Sequence, residues 1–170
     1  MIILGLGSNL SSSFGDRYKN IEIAISYLNK YEIKVIKKSS FYETPSYPNK
    51  NNPKFINIII EVKTHLNPTD LASVLIFIEE MLQRKRLKKN DPRTCDIDII
   101  DYNSQIINFK YKNFDFVVPH SKLIYRNFVL FPLQEILPEW KHPMTKDNID
   151  FLIERLSNED KKSILKINKS

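Results

Sequence analysis

A single cysteine, Cys95, stands among 170 residues, so no internal disulfide can form and a thiolate metal cluster lacks its other ligands. Glycine is scarce too, with only three. Two of them, Gly5 and Gly7, fall in one short segment, where they read as tight strand-exit geometry. No stretch approaches the roughly 18 apolar residues of a membrane span, and Met1 to Leu10 has no charged start before its apolar run, unlike an export leader. These absences lead to an expectation of a cytoplasmic protein with no membrane association.

Hydrophobic residues make up 42% and charged residues 27%, an ordinary globular balance that argues against disorder. The length suits one hydrophobic core. The expected organisation is a single domain over 1–160 followed by a polar, Lys-rich tail at 161–170. An excess of 26 Lys and Arg over 20 Asp and Glu gives a net charge of +6. That favours an anionic partner, and charge alone does not choose among nucleic acid, membrane surface and nucleotide.

Ile2 to Leu6 reads as a buried strand leaving through a Ser-rich loop. Asp16 caps a helix carrying Ile21, Ala24, Ile25 and Leu28 and ending near Lys30. A second strand runs from Ile33 through Ser39 to Tyr42 and stops at Pro45. After a loop to Pro53, Phe55 to Val62 is a nearly continuous apolar strand. Asn67-Pro68 opens a helix with Leu71, Val74, Leu75, Ile78 and Leu82 on one stripe. Thr94 to Tyr102 reads as a strand that Asn103-Ser104 turns into a hairpin partner at Gln105 to Phe109. Phe128 to Leu133 and Ile149 to Leu156 are helical, and Ser157 to Ser170 is polar. The order βα, ββ, αβ predicts an α+β sandwich with helices on a mostly antiparallel sheet.

Asp96 and Asp98 are separated by one strand residue, so they share a face roughly 6.6 Å apart while Cys95 and Ile97 face the other way. Two carboxylates so placed repel unless a cation intervenes, and Mg²⁺ takes a few carboxylate oxygens with water and phosphate completing its shell. Just upstream, Arg84, Lys85, Arg86, Lys88, Lys89 and Arg93 form a basic run. By itself such a run is a solvated helix end. Beside the Asp pair it suits a polyphosphate, Arg gripping as a fork and Lys as a point charge. His120 and Arg126 flank one phosphate if a helical turn lies between them. Phe55, Asn57 and Phe128 suit a flat heterocycle, the rings stacking and the amide reading its edge, although each aromatic alone is ordinary core. Gly5-Leu6-Gly7-Ser8 lacks the GK[ST] ending of a P-loop. His65 and His142 have no assigned role.

Taken together, six segments resemble the 6-hydroxymethyl-7,8-dihydropterin pyrophosphokinase family from Leu4 to Trp140. They are LGLGSNL; SSFYETP at Ser39 to Pro45; PKFINIIIEV at Pro53 to Val62; IEEMLQRKR at Ile78 to Arg86; DPRTCDIDII at Asp91 to Ile100; and VPH with RNFVLFPLQEILPEW. The resemblance implies a three-layer αβα sandwich with a ferredoxin-like core, in which ATP gives its diphosphate to the pterin hydroxymethyl group and AMP leaves. It implies two Mg²⁺ ions on Asp96 and Asp98, with Arg84 and Arg93 also catalytic. By position, Glu79, Arg84, Arg86, Lys89, Arg93, His120 and Arg126 would surround ATP, and Thr44, Pro45, Phe55, Asn57 and Phe128 the pterin. Loops after Gly7, Pro45 and Arg84 would close over them. Asp91, Ile76 and Ser121 depart from the pattern, and the basic loop is one residue shorter than in some relatives. A monomer that binds neither nucleic acid nor membrane is expected.

Two other readings compete. A polymerase-β-type nucleotidyltransferase also pairs Gly-Ser with Asp-x-Asp, but holds them close in sequence, unlike Ser8 and Asp96. A basic RNA-binding module would show exposed aromatics on its strands, and no matching motif occurs.

Overall fold

The computed structural model describes residues 1–86 and 88–168. β1 (Ile2–Ser8), β4 (Phe55–Lys63) and β5 (Asp96–Tyr102) form the middle and one side of a sheet ordered β5-β1-β4-β3-β8, where β3 is Phe41–Thr44 and β8 is Leu165–Ile167. β2 (Lys34–Lys38) also pairs with β4, and every pairing in the sheet is antiparallel. Strand alternation divides the side chains between two cores. Leu4, Leu6, Ile56, Ile58, Ile60, Ile97 and Ile99 pack against α1 (Arg17–Lys30) and α2 (Pro68–Met81). Ile3, Ile59 and Ile100 pack on the opposite face against α3 (Asn127–Ile136) and α4 (Ile149–Glu154). The expected three layers and the βαββαβ ferredoxin-like order are therefore present.

Both large helices start as their sequences dictate. The Asp16 side chain accepts from Lys19 N, and Asn67 accepts from Asp70 N with Pro68 in the first turn. Among the described residues no helix is long and apolar enough to cross a membrane.

Two sequence expectations fail locally. The single strand expected from Ile33 to Tyr42 is two, because Ser39 interrupts it. Its Oγ accepts from Ile59 N at 3.0 Å and its own N donates to Ile59 O at 2.9 Å, so side chain and backbone together replace regular ladder bonds. The hairpin expected across Asn103-Ser104 does not form. Both residues have positive φ, yet the turn is tied backward, Ser104 N donating to Asp101 Oδ1. Its chain instead enters β6 (Ile107–Tyr111), which pairs with β7 (Phe114–Val118) as a separate ribbon. Phe109 and Phe116 stack across that ribbon at 4.9 Å and pack on the core beneath α2. Sequence reading also missed α5 (Asn158–Ser163) and β8 in the Lys-rich terminal segment.

Candidate active site

Asp96 and Asp98 occupy one face of β5, as alternation requires, while Ile97 and Ile99 enter the opposite core. In the adjacent strand Gly7 pairs with Asp96 and Gly5 with Asp98, and on its other side Gly7 pairs with Asn57. A row Asp96–Gly7–Asn57 thus crosses three strands on one face, with no side chain in its middle. A Cβ at Gly7 would lie 3.1 Å from Asn57 Oδ1, and one at Gly5 3.3 Å from Ile59 Cδ1. Neither glycine has positive φ. The expected strand-exit role is therefore corrected: both lie inside β1 and keep an open floor beside the carboxylates.

A network of arginines surrounds the pair. Arg84 Nη1 lies 2.7 Å from both Asp96 Oδ1 and Glu79 Oε1. Glu79, projecting from α2, also accepts from Ile97 N at 2.7 Å and pairs with Arg86. Its side chain is 3% exposed, so it anchors the arginines from below. Burial, reinforced by Asp96 and opposed by Arg84 and Arg86, pushes the Glu79 carboxyl up to about 7. Burial resists ionisation of Asp96 too, but Arg84 and Arg93 outweigh it and hold Asp96 below the usual carboxylate range. Asp98 goes the other way, raised by burial and by Asp96 despite Arg126.

Arg93 Nε sits 3.1 Å from Asp96 Oδ2 but makes no hydrogen bond, although it is sealed from solvent. The same guanidinium lies 5.0 Å from the Phe55 ring centroid. Arg126 repeats the arrangement, with Nη1 3.2 Å from Asp98 Oδ2 and its guanidinium 5.4 Å from the Phe128 ring. Each expected aromatic therefore adjoins an arginine that grips one carboxylate.

A 3-10 turn, Leu123–Tyr125, separates His120 from Arg126, supplying the helical turn that the spacing requires. His120 Nδ1 accepts from Lys122 N at 3.1 Å. Burial lowers its pKa against the pull of Asp98, so the neutral ring carries its proton on Nε2, a donor for an anionic oxygen.

Two cavities adjoin the pair. One of about 420 Å³ is lined by Arg84, Arg86, Lys88, Lys89, Arg93, His120, Arg126 and both carboxylates, with Lys85, Asn90, Asp91 and Phe114. A second, of about 230 Å³, runs between α2 and the β6–β7 ribbon past Leu75, Ile76, Glu79, Phe116, Val118 and Ser121. The expected ATP residues converge on these cavities. Thr44, Pro45, Phe55, Asn57 and Phe128 line neither. Asn57 Nδ2 instead donates to Thr44 Oγ1 at 3.0 Å, which joins two residues expected at one edge of a heterocycle.

Sequence reading missed Asn9 and Phe114. Asn9 Nδ2 donates to Ser46 Oγ and Pro53 O, and Oδ1 accepts from Arg93 N at 2.8 Å. It thereby ties the end of β1 to the 45–53 loop and to the Pro92-Arg93 bend. Its sequence signal was a lone Asn leaving a strand. Phe114 carries the Arg86 guanidinium 4.5 Å over its ring; as one aromatic in a ribbon it offered no signal. Asp91 folds the basic loop by accepting from Lys88 N. Cys95 is fully buried and its thiol is raised by that burial, so it is no nucleophile.

The oxygen donors suit Mg²⁺. Two carboxylates on one face, one of them raised by burial and by the other's charge, are hard donors beside a basic cavity.

A sequence profile of the 7,8-dihydro-6-hydroxymethylpterin-pyrophosphokinase family matches residues 3–138. The chain belongs to this family. It is 34% identical over 148 residues to the 2-amino-4-hydroxy-6-hydroxymethyldihydropteridine pyrophosphokinase of Bacillus subtilis, covering 86% of this chain and 84% of that one. It is 35% identical over 164 residues to folic acid synthesis protein fol1 of Pneumocystis carinii, covering 96% of this chain. The chain spans about a fifth of the length of that protein, 21%. In fold it resembles Plasmodium falciparum HPPK-DHPS crystallised with pteroate, at a TM-score of 0.72 and 18% identity, over 91% of this chain and 44% of that one.

Proposed function

We propose that this family member transfers diphosphate from ATP to the hydroxymethyl group of 6-hydroxymethyl-7,8-dihydropterin, giving AMP and the pterin diphosphate. The observation that carries the reading is the Asp96–Gly7–Asn57 row. Its bare middle lets a flat ring beside Asn57 bring a substituent close to a phosphate chain held over Asp96.

Each residue then has a task. Arg84, Arg86, Lys89, Arg93, His120 and Arg126 bind and neutralise the triphosphate, with Glu79 holding Arg84 and Arg86 in place. Phe55 and Phe128 stack on the pterin, and Thr44, Pro45 and Asn57 define its edge. The pterin hydroxyl oxygen attacks the β-phosphorus and gives up its proton, the bond from that phosphorus to the α-phosphate oxygen breaks, and AMP departs with that oxygen and its charge. The chain contributes alignment and charge stabilisation without a covalent intermediate. Mg²⁺, two ions in this proposal, would be held by Asp96 and Asp98 and would neutralise charge on the phosphate oxygens. The expected domain of 1–160 extends through β8, which pairs with β3 in the same sheet; it acts as a monomer, and no nucleic acid or membrane takes part. The free buried thiol of Cys95 suits the cytoplasm.

The test is to incubate the protein with ATP, Mg²⁺ and 6-hydroxymethyl-7,8-dihydropterin and to separate the nucleotides by chromatography. Pterin-dependent AMP is expected. ADP, or no pterin-dependent product, overturns the reading.

A further inference from the structure

Arg126 pairs with Asp98 and lies over the Phe128 ring, yet the helix these residues open has no side-chain cap. The residue between them, Asn127, is buried and turns away toward the end of the chain. Its Nδ2 donates to Asp160 O at 2.7 Å and to Ser163 Oγ at 3.0 Å. Ser163 Oγ in turn donates to Asp160 O. Both amide protons are therefore spent on α5.

The same terminal segment reaches the heterocycle side by a second path. β8 pairs with β3 through Phe41–Ile167, Tyr42–Lys166 and Glu43–Leu165, and β3 ends at Thr44, the hydrogen-bond partner of Asn57. Segment 157–167 therefore touches the supports of Phe128 and of Thr44 while none of its residues adjoins the Asp pair.

We propose that this terminal segment positions the pterin-binding residues Thr44 and Phe128, with Asn127 as the positioning residue that sets Phe128 and the phosphate-binding Arg126 before it. The inference rests on the pyrophosphokinase reading above. An amide held at two points fixes the first turn of α3, and small rotations there are magnified at the tips of the long Arg126 and ring-bearing Phe128 side chains.

The experiment uses the full chain and two variants, Asn127→Ala and Ser163→Ala. Pterin affinity is read from pterin fluorescence, turnover from AMP release and folding from thermal melting. Pterin-dependent AMP from the unsubstituted protein establishes the underlying reading separately. Given that, Asn127→Ala is expected to raise the pterin Kd and KM about tenfold, and Ser163→Ala about threefold, with kcat falling less than KM rises. A purely structural role would lower the melting midpoint and leave Kd and KM unchanged in the folded fraction, and that result overturns the proposal. If Asn127→Ala does not fold, Ser163→Ala decides on the same criteria.

Discussion

Glu79 and Arg84 face each other at 2.7 Å with 3% and 9% of their side chains exposed. So closed a pair is costly to desolvate and holds its geometry only because further bonds satisfy it. Arg84 is shared with Asp96, and Glu79 with Ile97 N and Arg86. The carboxylate at the bottom of the site therefore sets the arginines at its top.

Glu79 predicts an unusual pH dependence. Its carboxyl is raised to about 7 by burial and Asp96, against about 4.3 in an unfolded chain. Between those values the folded state binds more protons than the unfolded one, so stability from this group is full below about pH 4.3 and is lost as pH rises through 7. Urea titrations of the metal-free protein at pH 5, 6, 7 and 8 will show declining stability, with a shallower slope in Glu79→Gln. Identical slopes would remove Glu79 as the source.

Asp98→Ala removes a carboxylate whose ionisation burial opposes. Turnover is expected to fall about a thousandfold or more, while the melting midpoint stays level or rises. An active variant, measured by AMP release, would sink the assignment of Asp98 to the cation.

Gly7→Ala places a methyl 3.1 Å from Asn57 Oδ1 and 3.5 Å from Phe55 Cδ1. The Asn57 amide must give way by a few tenths of an ångström, and straining its bond to Thr44 Oγ1 costs up to about 1 kcal/mol. Pterin affinity is expected to fall several-fold, with affinity for a non-hydrolysable ATP analogue retained. Equal losses for both ligands in calorimetry would refute the division of the site along the glycine row.

Glu135 joins α3 to the far sheet edge. It accepts from Tyr42 Oη at 2.7 Å and Ser40 Oγ at 2.8 Å and pairs with Lys166. Burial opposes its ionisation, but the bonds from Tyr42 and Ser40 prevail and lower its pKa. Its contribution is therefore present above the unfolded value and lost as pH falls through the folded one. Glu135→Ala should cost about 2 kcal/mol at pH 7 and less at pH 3, as measured by denaturant unfolding.

The nearly continuous apolar run of Phe55 to Val62 and the helical stripe of Leu71, Leu75 and Ile78 made the layers legible in the sequence. The Asp96–Asp98 spacing and the basic run showed the charged half of the site, because strand period and local charge act between neighbours in the chain. The aromatic half was legible only as residue types, since Phe55 and Phe128 belong to different elements and alone resemble ordinary core.

Sequence by itself determined the central strands β1, β4 and β5, the two large helices, the shared face of the two carboxylates and the family. Tertiary structure alone decided that Gly7 lies between Asp96 and Asn57, that Asn9 gathers three loops, that β6 pairs with β7 and that the terminal segment closes the edge beside β3. Those four depend on which strand lies beside which. Register between distant segments is settled by the packing of both sheet faces at once, and no local pattern in either segment records it.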